Sequence, residues 1–149
     1  KVLEFGIENL ERAFYKCPSS VTRTIHICCS YPGSLDAEIC PKGPKEAYLQ
    51  VAPSLDESSI QAVSLEDAHR HNDGELFEMF QHTTVILGCF DIGTSRVEES
   101  EEIRTRLAQV LEHIDADRLM LAPDCGLGLL GTELAVAKLR NLCEAAGSV

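Results

Sequence analysis

The 149-residue sequence predicts an α/β fold of about four β/α units around a parallel sheet, and three observations carry that expectation. From Ile60 onward, short apolar runs alternate with stretches of helical periodicity, the pattern of right-handed βαβ units. One run, Thr84 to Phe90, is apolar almost without interruption, as in strands covered on both faces. Three runs end in side chains that bind metals: Thr24-Ile25-His26-Ile27-Cys28, Ala62-Val63-Ser64-Leu65-Glu66, and Leu121-Ala122-Pro123-Asp124-Cys125-Gly126. The carboxyl ends of parallel strands converge on one face, where α/β sheets and barrels take their ligands. Four strands with three crossovers make half of an eight-stranded (β/α) barrel, or a small open sheet. A half barrel leaves two unpaired edges, so the chain is expected to pair with an upstream half-barrel or to self-associate.

The elements follow in order. Ile7, Leu10 and Phe14 lie at helical spacing and predict an opening amphipathic helix, stopped by the turn signal Cys17-Pro18-Ser19-Ser20. A strand over Thr24 to Cys28 follows. Residues 30–59 carry Pro32, Gly33, Pro41, Gly43, Pro44 and Pro53 and predict a long, insertion-like loop, with room for a short helix around Glu46 to Leu49. A strand from Ile60 to Glu66 leads to Asn72 or Asp73, either of which can cap a helix carrying Leu76, Phe77 and Phe80. After the Thr84 to Phe90 strand, Ile103, Leu107, Val110, Leu111 and Ile114 mark the clearest helix, with Glu101 and Glu102 in the first turn where the dipole favours acids. A strand at Leu119 to Pro123 precedes a last helix whose Ala135, Leu139, Leu142 and Ala146 share a stripe.

Composition narrows the function classes. A mass of 16.3 kDa with 44% hydrophobic residues is one domain in size, spanning residues 1–149, with enough apolar surface for a core. Thirteen basic against 24 acidic residues give a formal net charge of -11, a field that repels phosphate backbones and anionic lipid, so neither nucleic acid nor a membrane is an expected partner. No apolar run nears the roughly 20 residues that span a bilayer. Seven cysteines, an odd number with Cys28 and Cys29 adjacent, do not form a disulfide framework, and the expected compartment is a reducing cytoplasm. Lys1 in place of Met leaves room for an upstream segment.

Residues two apart on a strand point to the same side, so His26 and Cys28 can hold one ion between them. Alone, the pair is better explained as a buried cysteine beside a core histidine. Cys125 raises the metal reading, because it sits where a strand end turns through Gly126 and Gly128 into a loop. Glu66 raises it further, since an acid closing an apolar strand is costly to bury without a partner. Zinc accepts imidazole, thiolate and carboxylate together.

These elements resemble the carboxy-terminal catalytic domain of the cobalamin-independent methionine synthase family. The resemblance runs over most of the chain, through Val63-Ser64-Leu65-Glu66-Asp67, Ile86-Leu87-Gly88, Asp91-Ile92, the helix start from Glu98 to Arg106, and Arg118-Leu119 to Gly126. It implies a (β/α)8 TIM barrel, of which this chain is the carboxy-terminal half. It also implies zinc held by His26, Cys28, Glu66 and Cys125, and a methyl group moved from 5-methyltetrahydrofolate to the zinc-bound thiolate of homocysteine, giving methionine. Glu66 is the ligand expected to loosen as substrate sulfur arrives, because a thiolate in place of a carboxylate preserves the charge. Where the full-length enzymes place a histidine thought to donate a proton, the sequence reads Asp91-Ile92-Gly93, and Gly93 cannot transfer one. No catalytic residue is assigned outright, and Asp91 is a candidate. The family's residues for the amino-acid end of the substrate and for the pterin lie largely on strands upstream of Lys1. Two alternatives stand beside this reading: alkyl transfer to another small thiol or from another methyl carrier, favoured by Gly93, and a zinc-binding half-barrel fragment without turnover.

Other reactive residues have plainer readings. His69 and His71, two apart after Glu66, are candidates for extra ligands or a donor pair, but helix capping explains a polar loop with Asn72 and Asp73 as well. His82 and His113 fall near helix ends, on the surface. Cys17, Cys29, Cys40, Cys89 and Cys143 have no partner spacing; Cys29 faces away from Cys28 if the strand continues, and Cys89 and Cys143 are small core residues. The four acids within Glu98 to Glu102 are a solvated helix start.

Overall fold

The structure, a computed structural model, describes residues 2–38 and 41–147. Cys40 lies outside the described residues. In chain order the elements are α1 (Val2–Ala13), β1 (Thr24–Ile27), α2 (Glu46–Asp56), β2 (Ala62–Leu65), α3 (Gly74–Glu78), β3 (Thr84–Gly88), α4 (Ser100–Val110), β4 (Leu119–Ala122) and α5 (Thr132–Ala146). The strands form one parallel sheet in sequence order, with β1 and β4 at its edges.

Register explains how one sheet gives a dry side and a reactive side. Ile25, Val63, Val85 and Leu119 form one row across the sheet, and Ile27, Leu65, Leu87 and Leu121 form another two residues on. Both rows lie on the same face. Tyr48, Ala52 and Leu55 of α2, Leu76 and Phe77 of α3, and Val110 of α4 cover that face. Full burial of a Val, Leu or Phe contributes about 1.5–3 kcal/mol each, so this layer carries the fold. A second cluster, around Phe90, Ile92, Ile103, Leu142 and Ala145, joins α4 and α5 to the stretch after β3. The opposite face carries the row His26, Ser64, Ile86 and Met120, none of them buried. The strands, crossovers and open inner face are those of a half barrel.

The structure corrects several expectations. The loop expected over residues 30–59 holds a full helix, α2, which runs through Pro53. Proline removes one helical hydrogen bond, but the side chains at positions 48, 52 and 55 are each no more than 2% exposed, and their burial outweighs that loss. Neither Asn72 nor Asp73 caps α3 through its side chain; Asn72 donates instead to the Glu66 carbonyl and to Asp67, at 2.8 and 2.9 Å. The acid run is only partly solvated, since Glu98 is buried and its Oε2 accepts from the buried Lys138 Nζ at 2.8 Å. Cys143 and Ala146 are exposed rather than core. Cys89 packs between both apolar clusters as expected, and burial pushes its thiol up to about 12.

Candidate metal centre

His26, Cys28, Glu66 and Cys125 meet at the carboxyl end of the sheet, with one ligand atom from each within 4.8 Å of all the others. The backbone dictates this. His26 closes β1 on the open face and Cys28 follows two residues on; Glu66 lies one residue past β2, in the row that continues from Cys28. Cys125 comes from the turn after β4. Tyr48 of α2 donates from its hydroxyl to the Ile27 carbonyl at 2.8 Å, tying the helix to the backbone before Cys28.

The donors hold one another in place. His26 Nδ1 lies 2.9 Å from Ser64 Oγ, which orients the ring and leaves Nε2 for a ligand. Cys28 Sγ donates to Glu66 Oε1 at 2.9 Å, and Glu66 Oε2 accepts from the Cys29 backbone N–H at 3.0 Å. The two sulfurs are 3.9 Å apart. Burial, and then the hydrogen bond to Glu66, push the Cys28 thiol up to about 12. Two sulfurs and a fully buried carboxylate thus converge with no cationic side chain among them, and an ion of charge +2 relieves that arrangement. One imidazole, two thiolates and one carboxylate are a donor set zinc accepts in tetrahedral geometry, so the residues fit the metal.

A second shell, largely unread in the sequence, supports these four. The Asp124 carboxylate is fully buried and bridges two loops. Its Oδ1 accepts from the Asp67 and Ala68 backbone N–H groups at 2.9 and 3.0 Å. Its Oδ2 takes the Tyr31 hydroxyl at 2.7 Å and faces His69 Nδ1 at 2.7 Å. Burial works to raise this carboxyl, but the bonds from His69, the two backbone N–H groups and Tyr31 outweigh it and hold it below the ordinary range. Asp67 receives a bidentate grip from Arg106, Nε to Oδ2 at 2.7 Å and Nη2 to Oδ1 at 2.9 Å. The residues flanking Glu66 and Cys125 are therefore pinned by charge-assisted bonds from α4 and across the two loops.

His69 is the largest departure from expectation. It is a buried neighbour of Glu66, with its ring edge-on to Tyr31 at 5.3 Å between centroids, rather than part of a helix cap. The only signal in sequence was its place three residues after an acid. His71 does not join the centre; it takes a positive φ of 45° and lines a neighbouring cavity of about 290 Å³ with Asp91, Arg96 and Arg106. Asp91 lies in the stretch after β3, where Oδ1 accepts the Gly93 N–H at 2.6 Å, outside the four-residue cluster. At Gly93 a Cβ would lie 3.1 Å from the Tyr31 ring and 3.3 Å from Pro32, so the loop after β1 fills the space above it. Cys29 points away from Cys28 as expected, and its sulfur takes a contact from the Arg70 guanidinium. His82 is exposed, and His113 is partly exposed against Glu78 at 2.7 Å. No helix among the described residues is long and apolar enough to cross a membrane.

Comparison with known proteins gives a consistent picture. Residues 35–148 match the family described as cobalamin-independent synthase, catalytic domain. A methionine synthase of Thermococcus kodakarensis is 33% identical over 98 residues, which are 65% of this chain and 29% of that protein. One from Methanothermobacter thermautotrophicus is 35% identical over 91 residues, 60% of this chain and 30% of its own. The structure of a B12-independent methionine synthase from Shewanella sp. W3-18-1, in complex with selenomethionine, superposes with a TM-score of 0.83 at 29% identity, covering 99% of this chain and 43% of that one. The chain therefore spans about 30% of the length of the curated relatives it matches.

Proposed function

Because the chain belongs to the cobalamin-independent synthase catalytic-domain family, we propose that it is the metal-bearing, carboxy-terminal part of a (β/α)8 barrel that moves a methyl group from 5-methyltetrahydrofolate to the thiol of homocysteine, giving methionine. The observation that carries this reading is the meeting of His26, Cys28, Glu66 and Cys125 within 4.8 Å at three strand ends. These four residues hold zinc. Zinc held there would supply Lewis acidity that lowers the pKa of an incoming thiol, and these residues would position it for in-line attack on the methyl group. Ser64 keeps the His26 ring turned toward the centre. Cys28 and Cys125 would stay as ligands to a bound zinc, and Glu66 would be the one to give way to a substrate sulfur, since exchanging carboxylate for thiolate leaves the charge of the set unchanged. The selenomethionine bound by the Shewanella protein, a selenium analogue of the expected product, supports a site shaped for this amino acid.

The open inner face and the two free sheet edges support an upstream half-barrel as the partner that completes the pocket. Asp91 is the candidate polar group near the methyl donor. One observation favours a second reading of that donor: Gly93 offers no acid, and Tyr31 and Pro32 crowd the space above it. A carrier whose leaving group needs no proton suits such a site better than a folate.

Metal analysis of the freshly purified chain tests the centre. One zinc per chain is expected, with Cys28→Ser and Cys125→Ser each retaining less, because a hard hydroxyl replaces a soft thiolate. Full zinc in both variants would sink the assignment. Methyl transfer to homocysteine, assayed with the upstream half supplied in trans, then separates a folate donor from another methyl carrier. No transfer from any donor leaves the non-catalytic zinc-binding fragment.

A further inference from the structure

His69 has an unusual pair of neighbours. On one side its Nδ1 is fixed 2.7 Å from Asp124 Oδ2, with the Tyr31 hydroxyl at 3.1 Å. On the other side Nε2 faces Glu66 Oε2 at 3.5 Å, buried and without a hydrogen-bond partner. Buried polar nitrogens in folded proteins are nearly always bonded, so an unsatisfied one held this close to a carboxylate needs an explanation. The ring cannot turn away to find a partner. Asp124 is anchored by the backbone N–H groups of residues 67 and 68, and the Tyr31 ring stands edge-on to the imidazole at 78°. Burial, then the Asp124 charge, push the Tyr31 phenol up, so it remains a neutral donor that locks Asp124 in place.

The two oxygens of Glu66 are already different. Oε1 faces Cys28 Sγ at 2.9 Å, toward the centre of the donor set. Oε2 faces outward to the Cys29 N–H and to His69. We propose that His69 is a positioning residue for Glu66: its Nε2 closes onto Oε2, so that Oε1 alone is presented to the metal and the carboxylate keeps a partner when a substrate thiol takes its place. The side chain of Glu66 is fully buried, and a carboxylate that left a cation with only one backbone N–H for company would be left poorly compensated. Contact between Nε2 and Oε2 gives each of these buried atoms a partner, so the carboxylate is not stranded when it leaves the donor set. The Tyr31-Asp124-His69 chain thus sets how readily the site exchanges its oxygen ligand for sulfur.

This inference rests on the zinc and thiol reading above, and the test separates the two. Zinc-edge X-ray absorption of the zinc-loaded chain, recorded while homocysteine is added, counts the sulfurs around the metal. Wild-type protein is expected to go from two sulfurs to three. His69→Leu should still show two sulfurs at rest, bind zinc about tenfold more weakly, and require about tenfold more homocysteine to gain the third. His69→Gln, whose amide can reach the Nε2 position, should restore both properties to within about threefold. If His69→Leu fails to fold, His69→Asn retains a polar contact to Asp124 while falling short of Glu66, and the same losses are expected of it. A variant lacking the Glu66 contact that gains its third sulfur at the wild-type concentration, with wild-type zinc affinity, overturns the role of His69 and leaves the thiol reading intact. Failure of the wild-type chain to gain a third sulfur overturns both.

Discussion

At the scale of single residues, the four proposed ligands were legible because each sits in a pattern that strand geometry alone makes meaningful. Two positions apart on a strand, or the last position before a glycine turn, is enough to place a side chain at the sheet's carboxyl end. His69, Asp124 and Arg106 were not legible as a supporting shell. Their partners lie 55 residues apart for His69 and Asp124 and 39 apart for Arg106 and Asp67, and nothing local marks such pairs. Gly88 shows how tight this shell is. A Cβ there would collide with Asp124 Oδ1 and lie only 2.8 Å from the Asp124 Cα, which is backbone and cannot swing aside. Gly88→Ala is therefore expected to cost about 1–3 kcal/mol by overpacking and to displace the turn carrying Cys125. Chemical denaturation reads the first effect and zinc content the second; an alanine variant with wild-type stability and full zinc would show that the Asp124 turn is free to move.

At the scale of elements, strand existence and order followed from the sequence, while strand ends came out one to two residues shorter than expected. The regular ladder stops where the ligands begin: β1 ends at Ile27, before Cys28, and β2 at Leu65, before Glu66. The helix α2 was hidden by its flanking prolines and by Pro53, because composition announces loop there while burial of Tyr48, Ala52 and Leu55 decides for helix. The last residue of α2 has a further task. Asp56 accepts the backbone N–H groups of Gln81, His82 and Thr83 at 2.9 to 3.0 Å, fastening the turn that feeds β3. Burial works to raise its carboxyl, but these three N–H donors hold it below its ordinary value. Asp56→Asn is expected to cost about 2 kcal/mol at neutral pH, as bonds to a charged acceptor are weakened. The folded value is the lower one, so the contribution is complete above the unfolded value near 3.8 and is lost as pH falls through the folded value. The gap in stability between wild type and Asp56→Asn should hold above about pH 4 and narrow only as the pH falls below it, and a gap that stays constant until the folded protein is fully protonated would mean the charge is not what fastens the turn.

At the scale of the whole molecule, two tendencies oppose each other, and their balance is measurable. The edge strands β1 and β4 offer unpaired backbone, Met120 on the open face is 56% exposed, and beside β4 an apolar groove of about 350 Å³ runs between Leu107, Leu111, Leu119, Leu121 and Leu142. Such edges and grooves favour association. A formal net charge of -11 on 16.3 kDa opposes it, since two copies repel as they approach. The repulsion reaches only about 10 Å at 0.1 M salt and about 3 Å at 1 M, whereas edge pairing and apolar contact act within that range and survive salt. The chain by itself is therefore expected to self-associate at micromolar concentration, more so as salt is raised, with light scattering giving a mass above that of a single chain. On the barrel reading proposed above, adding an upstream half-barrel should replace this with a one-to-one complex, because closing a barrel removes both edges at once. Met120→Lys, which puts a charge on the open inner face, should weaken self-association. A monomer at every salt concentration, unchanged by the upstream half, would mean that the edges are protected and that the half-barrel is a finished unit.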